Sequence, residues 1–220
     1  MKGNLTRRFA VYTAGLFMMT EGIALSVKSD LGVSPVSSIP YTMTCVWGIE
    51  MGRATILFHC FLVLLQVILL RKDFKPVNLL QVVVGIVFGY FTTFCNWCVS
   101  FLPDPTHIAV RVGMLLVSVV CIAVGIFLYM PPDIMPLAGE GVMKAISDVS
   151  GMAFAKVKVL FDSSMVAVSL LVCLLCIGSL GSVGAGTIMA AVLVGVVLGF
   201  VTKWFGARRD RWLFRENAQA

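Results

Sequence analysis

One pattern recurs in this chain at an offset of 103 residues, and it constrains the fold more than any single residue does. Gly22-Ile23-Ala24-Leu25, followed by Asp30-Leu31, returns as Gly125-Ile126-Phe127-Leu128, followed by Asp133-Ile134. The same offset aligns Gly48 with Gly151, Arg53 with Lys156, and Leu57-Phe58-His59 with Leu160-Phe161-Asp162. At an offset of 110, Val84-Gly85-Ile86-Val87-Phe88-Gly89-Tyr90 matches Val194-Gly195-Val196-Val197-Leu198-Gly199-Phe200. Identities are sparse, but their order is kept, which implies one structural unit used twice.

The repeated unit is membrane-spanning. Hydrophobic residues make up 59% of the chain and charged residues 13%, with a mean hydropathy of +0.98. A soluble domain carries about 25% charged residues. The low-charge stretches reach the roughly 20 residues that a helix needs to cross a bilayer. Their glycines favour packed helices over a barrel. Spans are expected at about 9–27, 54–70, 78–99, 108–130, 159–177 and 186–202. No cleavage site follows the basic start Met1–Arg8, so that stretch reads as a first span.

The net charge of +6 does not point to nucleic acid, because the basic residues sit in short clusters between apolar stretches. With the N terminus inside, one side receives Lys2, Arg7, Arg8, Arg71, Lys72, Lys75, Lys144, Lys156 and Lys158. It also receives Lys203, Arg208, Arg209, Arg211 and Arg215. The other side receives Lys28, Arg53 and Arg111. That bias predicts cytoplasmic N and C termini. Each copy holds three spans, an odd number, so the second crosses in the opposite sense. The fold class is therefore an all-α polytopic membrane protein, with six transmembrane helices in an inverted 3+3 repeat. One transmembrane domain is expected over residues 1–205, with repeats at about 9–101 and 108–204 and a basic cytoplasmic tail at 206–220.

The connections after spans one and four, residues 31–48 and 134–151, each begin near Asp with Pro or Gly and end at Gly. A short helix is expected in each. Either it is re-entrant, with free N-terminal N–H groups meeting a polar group at membrane depth, or it is an interfacial helix that seals the bundle.

The segment Gly22-x-x-Leu25-Ser26-Val27-Lys28-x-Asp30-Leu31-Gly32-Val33-Ser34-Pro35 resembles the signature of the YczE/YyaS/YitT-like bacterial integral membrane proteins, in their YczE-type branch. The resemblance continues through the turn at Gly52 and the following span with Leu65-Gln66. It implies a protein of the bacterial cytoplasmic (inner) membrane, and brings no substrate with it. The second half replaces Leu-Gly-Val-Ser-Pro with Ile134-Met135-Pro136-Leu137-Ala138.

Candidate residues follow from the cost of polarity in lipid. Glu21 is the most expensive residue. It serves either proton coupling or binding of a cationic group, or else reaches the interface or a neighbouring hydroxyl. His59 and Asp162 are matched across the repeat and either line the two mouths of one path or mark solvated helix starts. Asp30 and Asp133 are matched as well, and their plain reading is capping of the short helices. Ser34, Ser37, Ser38, Tyr41 and Thr44 form a polar face suited to a small ligand. Gln66, Gln81 and Asn96 add neutral hydrogen-bonding groups, whose default role is linking helices. Glu50 and Arg53, three apart, suit a helix-end ion pair. Gly85, Gly89, Gly195 and Gly199 form two small-xxx-small motifs, expected to bring spans three and six together or to join a dimer.

Cys95-x-x-Cys98 and Cys173-x-x-Cys176 have redox spacing, but cysteine in apolar helices is ordinarily a small hydrophobe. The sequence holds no nucleotide loop, zinc-ligand spacing or catalytic triad. The glycine-rich run 178–186 lacks the lysine of a phosphate loop and reads as a tight turn. No metal, cofactor or enzymatic activity is expected. The function expected is a small secondary transporter or permease-like protein for a small metabolite, with proton coupling as an option through Glu21 and lipid as its surroundings. The alternative is a non-transporting scaffold or regulatory partner, docked through the basic aromatic segment Trp204–Phe214 to another membrane protein or a second copy.

Overall fold

Eight α-helices and no strand make up the described residues, 5–214, of the computed structural model. In chain order they are α1 (Leu5–Ser29), α2 (Pro35–Trp47), α3 (Met51–Leu70), α4 (Leu80–Ser100), α5 (Ile108–Tyr129), α6 (Ala138–Ser150), α7 (Phe154–Ile177) and α8 (Ala185–Leu213). Six of them, α1, α3, α4, α5, α7 and α8, are long and apolar enough to cross a membrane. The other two, α2 and α6, have 13 residues each. At 1.5 Å per residue they are about 20 Å long, short of a bilayer core of about 30 Å.

Local chemistry sets the helix ends. α3 begins at Met51 because the Glu50 carboxylate accepts the backbone N–H groups of Gly52 (2.8 Å) and Arg53 (2.9 Å). That cap replaces the expected Glu50–Arg53 ion pair, and Glu50 also accepts the Thr93 hydroxyl at 3.1 Å. The tail expected from residue 206 begins as a continuation of α8. Leu213 is fully buried, and Arg209 donates to the Phe127 carbonyl at 2.7 Å with its guanidinium 4.1 Å from the Phe127 ring centre. Residues 215–220 and Lys2 lie outside the described residues.

α1 and α5 pack antiparallel at the centre, and glycine is what permits their approach. A Cβ on Gly15 would lie 2.5 Å from the Tyr129 nitrogen and 2.8 Å from the Gly125 oxygen; one on Gly22 would lie 2.8 Å from the Ser118 oxygen. Arg8 on α1 donates to the Pro132 carbonyl (3.0 Å), and Arg111 on α5 donates to those of Ser29 (2.9 Å) and Asp30 (3.0 Å).

These contacts exchange partners under the 103-residue offset: Arg8 corresponds to Arg111, Ser29 to Pro132 and Asp30 to Asp133. Helix starts obey it too, α1 with α5, α2 with α6, and α3 with α7. Gly48 (φ 66°) and Gly151 (φ 71°) close the short helices in the left-handed region. Asp30 (φ 52°) and Asp133 (φ 46°) share that unusual backbone, which Asp tolerates through local hydrogen bonding. Both aspartates are therefore turn residues and not caps. The N-caps of α2 and α6 are Ser34 and Leu137, neither with a side-chain cap bond.

The remaining packing is partly symmetric. α2 lies on α7 and α6 on α3, while α4 lies on α1 and α8 on α5. α3 and α4 close tightly, because Gly85 seats against His59, and Gly89 against Ile56 and Gly52. The matched pair α7 and α8 does not pack in this way. Nothing lies within 4 Å of a Cβ built on Gly195 or Gly199. The expected contact of spans three and six through these glycines is thus corrected. One motif binds α4 to α3, and the other faces open space.

Candidate functional site

The first turns of α2 and α6 approach each other inside the bundle. A Cβ on Gly139 would sit 3.7 Å from Val36 Cγ1, and Val36 packs on the cluster that holds Ala138, Val142 and Leu62. The first N–H groups of a helix lack intrahelical acceptors. Two helix N-termini are thereby placed in the interior of a lipid-type bundle, the arrangement that draws polar or anionic groups.

Beside them lies a cavity of about 1560 Å³. Its mouth is at the basic end of the bundle, among Arg71, Lys72, Lys75, Lys144 and Lys158, with Asp73, Asp133 and Asp148 interspersed. Its deep end reaches Ser34, Ser37, Thr55 and His59. Between these, Met19, Ile23, Met51, Phe58, Phe88 and Ile122 give apolar walls. One compartment thus offers a charged entrance, a greasy barrel and a hydroxyl-lined floor.

The opposite end is closed by backbone and hydroxyl contacts. Val33 N–H donates to the Ser182 carbonyl (3.2 Å) and Gly186 N–H to that of Leu31 (2.8 Å). The Thr42 and Ser182 hydroxyls bond at 2.7 Å, and Ser169 donates to Ser38 at 2.9 Å. The glycine-rich run is needed here, because a Cβ on Gly184 would lie 2.3 Å from the Leu31 oxygen. The turn expected at 178–186 is therefore also a plug, seated on the connection at 31–33. At the basic end, among the described residues, no corresponding backbone bond ties residues 134–136 to the connection 71–79.

Polar side chains around the α6 start form a second cluster. The Tyr129 hydroxyl donates to the Glu140 carboxylate and accepts the Leu137 N–H at 3.1 Å. Gln66 donates to Gln81 (2.8 Å) and to the Ala138 carbonyl (3.3 Å). Gly141 makes room for that pair, since a Cβ there would lie 2.6 Å from Gln66 Oε1 and 2.7 Å from Gln81 Oε1. Gly141→Ala is expected to destabilise the protein by about 1–3 kcal/mol, the ordinary cost of overpacking, read as an earlier thermal unfolding midpoint in detergent. An unchanged midpoint would mean that the glutamines yield freely.

The predicted site residues divide cleanly. Ser34, Ser37, His59, Asp133 and Asp162 line the cavity. His59 is 4% exposed, edge-on to Phe88 at 5.6 Å, and its Nδ1 has no hydrogen-bond partner. Asp162 pairs with Lys158 at 2.9 Å through Oδ2, while its Oδ1 is buried and unpartnered. Glu21, Asp30, Ser38, Tyr41 and Asn96 do not line it. Glu21 lies on α1 beside Cys95 and Cys121, on the helix face away from the cavity-lining Met19 and Ile23. Asp30 is tied to Arg111, and Asn96 donates to the Thr92 carbonyl within its own helix at 2.9 Å. Ser38 and its neighbour Thr42 belong to the closed end. Sequence reasoning passed over Glu140, whose signal was its position as the third residue of a repeat-matched helix.

The seven cysteines are free, with Cys95 buried 3.3 Å from the Thr20 hydroxyl. At the closed end, Lys28 hydrogen-bonds Asp104 and holds its carboxyl below the usual carboxylate range.

No solved structure matches the chain. It is 25% identical over 201 residues to the uncharacterized membrane protein YczE of Bacillus subtilis (strain 168), a match covering 91% of this chain and 87% of that one. It is also 25% identical over 198 residues to the uncharacterized protein YyaS of the same organism, covering 87% and 90% respectively. A family model matches residues 6–203. The chain, an all-helical multi-pass membrane protein, belongs to the family of unknown function DUF6198.

Proposed function

We propose that this protein is a small secondary transporter of the cytoplasmic membrane, caught with its vestibule open to the cytoplasm. The observation that carries this reading is the one-sided cavity. It is open and basic at one end, closed by the 31–33 and 182–187 contacts at the other, and floored by the first turns of two matched short helices. The basic end is cytoplasmic by the positive-inside bias, which places both termini inside. The exchange of contacts under the 103-residue offset supports two halves of opposite topology, an architecture that lets one set of packings serve two facing states. The cargo is a small amphipathic molecule. Its apolar body packs on Met51, Phe58 and Phe88, and its polar end meets Ser34, Ser37 and His59.

The test needs no knowledge of the cargo. Ser34→Cys is placed in a background lacking the seven natural cysteines and treated with a membrane-impermeant maleimide, in inside-out and right-side-out vesicles. Rapid modification is expected from the cytoplasmic side. Slower but complete modification is expected from the other side, because an irreversible reagent accumulates product from a minor state. Modification from the cytoplasmic side alone, at any exposure time, would sink the transport reading.

A further inference from the structure

The two small-xxx-small motifs are in opposite conditions, and the difference falls at the cavity. In α4, Gly85 and Gly89 are seated on α3 against His59, Ile56 and Gly52. In α8, Gly195 and Gly199 have open space around them, and Gly195 lines the cavity mouth with Val194 and Leu198. Across that opening stand Phe154, Lys158 and Asp162 of α7. The repeat offsets map Ile56 to Val159, His59 to Asp162, Gly85 to Gly195 and Gly89 to Gly199. The counterparts of Ile56, His59, Gly85 and Gly89 are therefore present and not packed together, while Gly52 is replaced by Ala155, so α7 and α8 would meet less closely at that end than α3 and α4 do.

We propose that α7 and α8 form the cytoplasmic gate. It closes by seating Gly195 over Asp162 and Gly199 against Val159, and the charge on Asp162 holds it open. This rests on the transport reading above and names its moving part. The seat beneath Gly85 is the side chain of His59, 4% exposed among Phe58 and Phe88. The matching seat beneath Gly195 is a carboxylate. Closing on it removes water from an ion, which is costly unless the charge is paired or lost. Charged groups reach the same cavity from several elements, Arg71, Lys72, Asp73, Lys75 and Asp133 among them. Lys158 lies one turn back on its own helix, and α6, packed on α7, brings Glu140, Lys144 and Asp148 to the same cavity. α2, also packed on α7, carries no Asp, Glu, Lys, Arg or His, and neither does the facing stretch of α8 from Ala190 to Leu198. The Lys158 side chain is 52% exposed, so it keeps its water when the gate is open and must shed part of it to follow Asp162 inward.

Cross-linking in native membranes tests this. Val159→Cys with Gly199→Cys, in the cysteine-free background, is expected to form an intramolecular disulfide under copper-phenanthroline oxidation. Adding Asp162→Asn is expected to raise the rate severalfold, by removing the charge that opposes closure. A dimer-sized product in place of the internal one would mean that a second copy fills the groove, and would overturn the proposal. So would failure to cross-link in protein that elutes as a single species. Gly199→Leu covers the case in which the paired cysteines do not fold. Its side chain enters open space in the present state, so the protein should fold and keep cytoplasmic labelling of Ser34→Cys while losing labelling from the other side. If Gly199→Leu retains labelling from both sides, the gate lies elsewhere and transport stands. If the parent protein never labels from both sides, the transport reading itself fails.

Discussion

Gly15→Leu combined with Gly22→Leu is expected to leave no monodisperse protein on size-exclusion chromatography in mild detergent, whereas Gly113→Leu is expected to elute as the parent does. The two glycines face α5 at atoms that have no rotamer to change. A Cβ at position 15 meets the Tyr129 nitrogen and the Gly125 oxygen, and one at 22 meets the Ser118 oxygen and the Ile122 nitrogen, all at 2.5–2.9 Å. Relief therefore requires the helices to move apart. In lipid or detergent no hydrophobic force draws them back, because the solvent is as apolar as the side chains; close packing is the main attraction lost. Overpacking costs about 1–3 kcal/mol per site, with backbone clashes at the upper end. Seven residues along a helix separate the sites by about 10 Å, so the costs should add. About 6 kcal/mol is comparable with the net stability of many domains, about 5–15 kcal/mol. The separation would also strip the anchors at both ends of the crossing, Arg8 on Pro132 and Arg111 on Ser29 and Asp30. Gly113 lies on α5 with nothing within 4 Å of an added Cβ. It controls for the rise in helix propensity and apolar mass. Normal elution of the double variant would mean that α1 and α5 do not meet through these residues.

Much of this fold was legible in the residues. Apolar run length located the six long helices, and the terminal glycines Gly48 and Gly151 located the ends of the short ones. Helix starts were less legible where a local bond overrides composition. The Glu50 cap starts α3 three residues before its apolar run, and the buried Leu213 holds α8 together well beyond its own. The site was read in part, because composition reports what a side chain costs and not where it points. Glu21 is expensive anywhere in a span. At 100° per residue, however, it turns away from the face that carries Met19 and Ile23, while the less conspicuous Glu140 sits beside the cavity wall under Tyr129. The repeat told which residues correspond, and so paired His59 with Asp162. It did not tell that one of the pair would be packed beneath a glycine and the other left beside an open groove, because the offset pairs residues and does not report which helices pack on which.

The buried glutamines supply the second large effect, and its sign pattern is the informative part. Gln66→Leu alone is expected to lower stability by about 1–3 kcal/mol, the cost of a buried acceptor left without a donor. The orphaned group would be Gln81 Oε1 in the bundle interior, because the Ala138 carbonyl at the start of α6 keeps its place in the helix ladder. Gln81→Leu alone should cost less, because Gln66 keeps the Ala138 carbonyl as a partner. The double variant should recover part of the loss, since removing both polar groups removes the desolvation penalty along with the bond. Interhelical hydrogen bonds in membrane proteins average about 0.6 kcal/mol in double-mutant cycles, with values up to about 1.7. A coupling near the top of that range is expected, because one amide joins three helices: α3 through Gln66, α4 through Gln81 and α6 through Ala138. The α6 connection gives the pair a functional consequence. Gln66 holds the first turn of the short helix at the cavity by a backbone carbonyl, so losing it should loosen that turn even where stability is restored. Hydrogen exchange at residues 137–141, compared between the double variant and the parent, separates the two roles. Faster exchange confined to that turn would mark the pair as the anchor of the α6 start, while unchanged exchange would reduce it to an ordinary link between α3 and α4.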